Sequence, residues 1–130
     1  MDFGEKIDKQ RAKNMSPIVL AFIGDAVYSL FVRERAALTT DAKSGKLSEL
    51  SGRTVSAKFQ AKFVDEHLCD FTEEEADIFR RARNAKKPSR AKHSTVTEYN
   101  KSTGLEAVFG YLYLIGEIER LNYLLNLSEL

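Results

Sequence analysis

The chain has 130 residues, 43% of them apolar, which suffices for one domain with a hydrophobic core and is too short for two. Its one cysteine, Cys69, excludes an intramolecular disulfide and a thiolate zinc set, suggests a cytosolic compartment, and reads as a small buried apolar residue. The net charge of +1 conceals a polarised chain: residues 80–92, RRARNAKKPSRAK, carry seven of the 20 basic residues and none of the 19 acids, leaving 13 bases against 19 acids elsewhere.

The N-terminus, MDFGEKIDKQRAKN, is charged and has no apolar secretion core, so no leader peptide is expected. Ser16 and Pro17 form an N-cap and first-turn pair for a helix whose apolar residues run from Ile18 to Val32. That helix is nearly apolar all round, which predicts a place at the centre of a bundle. Its apolar run of about 16 residues falls short of the roughly 20 a membrane span requires. A polar connection over Thr39–Gly45 precedes a short helix over Lys46–Val55, with Leu47 and Leu50 one turn apart. Ser56 caps a third helix, in which Phe59, Phe63, Val64 and Leu68 recur at helical spacing.

Thr72 and Glu75 form a capping box for a fourth helix, which also gains from Glu73 and Glu74 in its first turn. Pro88 ends that helix near Lys86 and makes Lys87–His93 an exposed basic loop, with His93 a loop residue and not a base. Helix resumes between Ser94 and Asn100 and continues to Ile115, where Gly116 allows a bend. A final amphipathic helix follows over Glu117–Leu127, with Ile118, Leu121, Leu124 and Leu125 on one face. No segment alternates at the strand period between hairpin turns, so the fold class is all-α, a helical bundle in one domain over 1–130.

The two most apolar segments each carry one carboxylate, Asp25 in the first and Glu106 in the second. A carboxylate inside a buried helix is costly unless it is paired or holds a cation. Each acid alone could be engaged by a distant Lys or Arg, but neither helix supplies a basic partner nearby. Gly24, Gly104 and Gly110 lie beside them, and glycine inside a helix costs roughly 1 kcal/mol against alanine, so close helix approach is the expected compensation. Crossing there would bring the acids together, and two hard oxygen ligands without His or thiolate suit Mg²⁺ or Mn²⁺. A basic segment near such a site points to a polyanionic, phosphate-bearing substrate, although a charged helix end and loop can also be merely solvated.

The string LAFIGDAVY over 20–28 resembles the signature helix of ribonuclease III catalytic domains, and STGLEAVFGYLYLI over 102–115 resembles their second acidic helix. Chain length, VSAK over 55–58 and RNAK over 83–86 bring the resemblance closer to the Mini-ribonuclease III branch, over roughly residues 16–127. That resemblance implies an all-α homodimeric endonuclease. It also implies Mg²⁺-dependent hydrolysis of double-stranded RNA, with the large-subunit (23S) ribosomal RNA precursor as substrate and a ribosomal protein as a candidate partner.

The carry-over assigns catalysis and metal binding to Asp25 and Glu106. Further acids of the larger enzymes are replaced here by Ile18, Ala21 and Thr103, which leaves open one metal ion or two and raises as the alternative a non-catalytic double-stranded RNA-binding or ribosome-assembly protein that keeps the fold. With no double-stranded RNA-binding domain expected after Leu130, the basic segment is assigned the RNA, through Arg80, Arg81, Arg83, Asn84, Lys86, Lys87, Arg90 and Lys92. Tyr28 and Tyr113 are expected in the core or at a dimer interface.

Overall fold

The computed structural model describes residues 4–39, 45–47, 56–87 and 94–128. Its elements are helices α1 (Lys9–Asn14), α2 (Pro17–Thr39), α3 (Ala57–His67), a 3₁₀ turn (Leu68–Asp70), α4 (Glu73–Asn84), α5 (Val96–Ile115) and α6 (Ile118–Asn126). No strand occurs among the described residues, and the all-α class holds. Of the helix expected over Lys46–Val55 only Lys46 and Leu47 are described, and they are helical; the rest lies outside the described residues, as do Arg90, Lys92 and His93.

Local signals set most helix ends. Ser16 Oγ accepts from Ile18 N at the start of α2, and Ser56 Oγ accepts from Phe59 N at the start of α3. The Thr72–Glu75 capping box opens α4 as expected. A second capping box, Thr95 with Glu98, opens α5 and fixes the re-entry point that hydrophobic pattern alone left open. Gly116 closes α5 with φ 81°, the left-handed geometry in which glycine avoids a Cβ penalty.

Helix α2 continues past its apolar run to Thr39, where the polar connection was expected to begin. Its last turns are good helix formers, and Arg35 anchors them by hydrogen bonding Asn126 on α6 and covering the Phe31 ring. Two expectations are corrected by the packing. Helix α2 is not the centre of the bundle. Phe22 is 76% exposed, and Val19, Leu30 and Leu38 are exposed with it. The central element is α5, buried from Ser102 to Leu112 except at Glu106, with α2, α3 and α4 packed round it. Cys69, too, departs from expectation: it is exposed in the 3₁₀ turn and not buried. Helix α1, capped by Asp8, was not anticipated. Its residues are polar or charged except Ala12, the one that is buried.

Tyr28 and Phe109 stack between α2 and α5, with centroids 5.6 Å apart, which places Tyr28 in the core as expected. The ends of the bundle are joined by polar contacts. Arg120 of α6 grips the buried Glu75 carboxylate with two hydrogen bonds of 2.8 and 2.9 Å.

Candidate active site

Helices α2 and α5 cross at glycines. A Cβ on Gly24 would lie 1.6 Å from the Glu106 carbonyl oxygen, and one on Gly110 would lie 2.0 Å from the Leu20 carbonyl oxygen. No side chain fits at either position, so both glycines are required by the crossing. Gly104 serves a different neighbour: its missing Cβ makes room for the Phe79 ring of α4.

This crossing brings Asp25, the residue after Gly24, beside Glu106, close enough for the two carboxyls to share a hydrogen bond when one is protonated. The two acids are not equally buried. Asp25 is exposed at the edge of α2, whereas Glu106 is partly buried on the core helix. Burial, and then the neighbouring Asp25 carboxylate, push the Glu106 carboxyl up to about 8. Gln60 of α3 opposes this by donating from Nε2 to Glu106 Oε2 at 3.2 Å. Among the described residues neither acid forms a salt bridge, and no Lys or Arg acts on Glu106.

Two carboxylates held in contact without a cationic side chain repel each other as anions, and a hard divalent cation would remove that repulsion. The donor set therefore fits Mg²⁺ or Mn²⁺. Among the described residues no group of three or more His, Cys, Asp or Glu gathers, so the pair would leave most coordination positions to water and phosphate. Of the positions where the resemblance would lead one to expect further acids, Ala21 is buried and Ile18 partly so, and the Thr103 hydroxyl donates back to the Tyr99 carbonyl.

The basic segment is engaged with the fold to different degrees. Arg83 lies over the Phe79 ring at 5.6 Å, and Phe79 packs on Gly104, two residues before Glu106; this ties the cationic end of α4 to the same stretch of α5. Arg80 pairs with Asp77, and Arg81 donates to the Lys13 carbonyl that closes α1. Lys87 Nζ donates to the Arg83 and Ala85 carbonyls at the C-terminus of α4, which ends at Asn84, two residues earlier than Lys86. Lys86 and Asn84 are exposed, and Asn84 accepts from Arg83 Nε.

The sequence matches the ribonuclease III domain family over residues 18–117, a span that includes both helices of the crossing. The chain belongs to the ribonuclease III family. As a member of it, the protein is an endoribonuclease. It is 45% identical to the Mini-ribonuclease 3 of Staphylococcus aureus over 117 residues, covering 88% of this chain and 87% of that protein. It is 44% identical to the Mini-ribonuclease 3 of a Thermoanaerobacter species over 124 residues, covering 95% and 87%. The crystal structure of a protein from Fusobacterium nucleatum superimposes with a TM-score of 0.82 at 30% identity, covering 93% of this chain and 95% of that one.

Within this ribonuclease III frame, Gln60 is the neighbour of the acid pair that sequence reasoning passed over. Its signal was present: a lone amide one turn before Phe63 and Val64, on the face of α3 that points inward.

Proposed function

We propose that this chain acts as a single catalytic domain, a homodimer that cleaves double-stranded RNA in the cytoplasm with Mg²⁺ and matures the precursor of 23S ribosomal RNA. The observation that carries this reading is the pairing of Asp25 with Glu106, two carboxylates with no cationic side-chain partner among the described residues, on helices within the family match. Asp25 and Glu106 would hold the cation, which when bound supplies charge stabilisation at a phosphodiester and activation of water. The residues' own contribution is placement. Gly24 and Gly110 set the crossing, Asp25 faces solvent where a backbone phosphate can approach, and Glu106 lies behind it at the core.

The cationic segment fits the substrate. Arg80, Arg81, Arg83, Lys86, Lys87, Arg90 and Lys92 offer charge to phosphates, with Asn84 as a neutral hydrogen-bonding side chain. Arg81 and Lys87 would do so while also closing helix ends. A-form RNA presents phosphates and 2′-hydroxyls across a wide, shallow minor groove, so shape is the expected basis of recognition. The apolar face of α2, with Val19, Phe22 and Leu30 exposed, is suited to burial against a second copy. A two-fold dimer would present one acid pair to each strand of a duplex.

The test is incubation of the purified protein with a long RNA duplex and with a single strand, each with and without Mg²⁺. Cleavage confined to the duplex plus Mg²⁺ is expected. Cleavage of the single strand alone, or undiminished cleavage in excess chelator, would overturn the reading.

A further inference from the structure

Gln60 is 1% exposed, among the most completely buried side chains of the protein. It occupies a position on α3 where Ala61, Phe63 and Val64 of the same helix pack into the core, and where an aliphatic residue would satisfy the pattern. Burying a primary amide costs free energy unless its polar atoms are bonded. Its partner is not a backbone group but Glu106 Oε2, 46 residues away on α5, at 3.2 Å. With a cation bound Glu106 is ionised and only accepts, so the amide serves it through the NH₂ group that it already presents here.

The consequence is geometric. Glu106 reaches Asp25 across the α2–α5 crossing, and α2 is fixed there by backbone packing at Gly24 and Gly110. The Glu106 side chain has no such backbone constraint. It carries three rotatable bonds, and the Gln60 amide restrains one of its two oxygens from the side of α3. Helix α3 is itself held to α5 by the Lys101–Asp65 ion pair and by its buried Phe63 and Val64.

We propose that Gln60 is a positioning residue of the active site, holding the Glu106 carboxylate in the orientation that converges with Asp25 on a shared divalent cation. This rests on the reading of Asp25 and Glu106 as cation ligands and adds a third helix, α3, to the site. Groups that hydrogen-bond metal-ligating carboxylates set ligand orientation, and their loss typically lowers metal affinity or activity by roughly 10- to 100-fold. Gln60 touches neither substrate nor cation in this scheme, and acts only through Glu106.

Two substitutions test it. Gln60→Met keeps length and volume without a donor, and Gln60→Leu removes the amide with a branched apolar side chain of the kind the core pattern accepts. Mn²⁺ affinity is read by the electron paramagnetic resonance of free Mn²⁺, duplex-RNA binding is read in chelator, and kcat and KM are measured separately. Both variants are expected to bind Mn²⁺ roughly tenfold or more weakly and to lose kcat, with RNA binding in chelator and the circular-dichroism spectrum unchanged. Wild-type Mn²⁺ affinity and kcat in a folded Gln60→Met would overturn the proposal and leave Gln60 a core residue only.

Wild-type protein offers a reading that needs no folded variant: Mn²⁺ should broaden the Gln60 side-chain amide resonances, and unaffected resonances would count against the proposal. Asp25→Asn is the control for the underlying reading. If it binds Mn²⁺ as wild type does, the acid pair is not the cation site, whatever Gln60 does.

Discussion

Glu106 is held between two opposing demands, and its titration reports both. In the cation-free fold its carboxyl titrates near 8, against an ordinary 4.5, because burial and the Asp25 carboxylate disfavour its charge. The folded state therefore holds this proton more tightly than the unfolded chain does. The stability it contributes is complete below 4.5 and is lost as pH rises through 8. A divalent cation at the pair replaces the proton, so the stabilisation it confers should grow from pH 6 to pH 8. Thermal melts with and without Mg²⁺ at the two pH values check this; an equal increment at both would separate Glu106 from cation binding. At the same scale, Asp25→Asn should lower cleavage by at least about a thousandfold, the equivalent of several kcal/mol of charge stabilisation. Because Asp25 is exposed, melting temperature and RNA binding should hardly change. Cleavage within tenfold of wild type would remove Asp25 from the site.

Between elements, the crossing of α2 and α5 depends on two missing side chains. Gly24→Ala would drive a methyl group into the Glu106 carbonyl oxygen, a backbone atom that cannot rotate away. Overpacking of this kind costs about 1–3 kcal/mol and occasionally more, and here the helices must separate to relieve it. The expected result is a loss of about 3 kcal/mol or more in denaturant unfolding, with loss of cleavage although no functional side chain is altered. An unfolding midpoint equal to wild type would mean that the helices tolerate a wider crossing. Thr72→Ala is milder. It removes one capping bond of α4 and should cost about 1 kcal/mol, leaving the acid pair untouched.

For the molecule as a whole, the exposed apolar face of α2 is the feature a single copy leaves unexplained. Phe22 is 76% exposed, so folding of the single chain does not depend on it. Phe22→Glu should leave the circular-dichroism spectrum intact and convert the proposed dimer to monomer in light scattering; a dimer mass unchanged from wild type would place the pairing face elsewhere. The charge polarity also acts at this scale. Replacing basic residues of the 80–92 segment should flatten the salt dependence of duplex binding, by about 0.9 in log–log slope per lost phosphate contact if duplex RNA behaves like B-form DNA. Neutralising Arg81 or Lys87 would also disturb the ends of α1 and α4, so Lys86, exposed at the surface, is the cleaner position.

What the sequence determined by itself was local or pairwise. Helix starts at Ser16, Ser56 and Thr72 follow from short side chains bonding to nearby backbone, and the two acids stand out because their segments are otherwise apolar. The family was legible in the strings round Asp25 and Glu106, which the family match covers. The centre of the bundle was not legible. Helices α2 and α5 are both apolar nearly all round, and composition cannot say which one is enclosed by neighbours and which keeps a face open. Gln60 needed the tertiary structure most. Its role depends on the distance from its amide to a carboxylate on another helix, and only the packing of α3 on α5 fixes that distance.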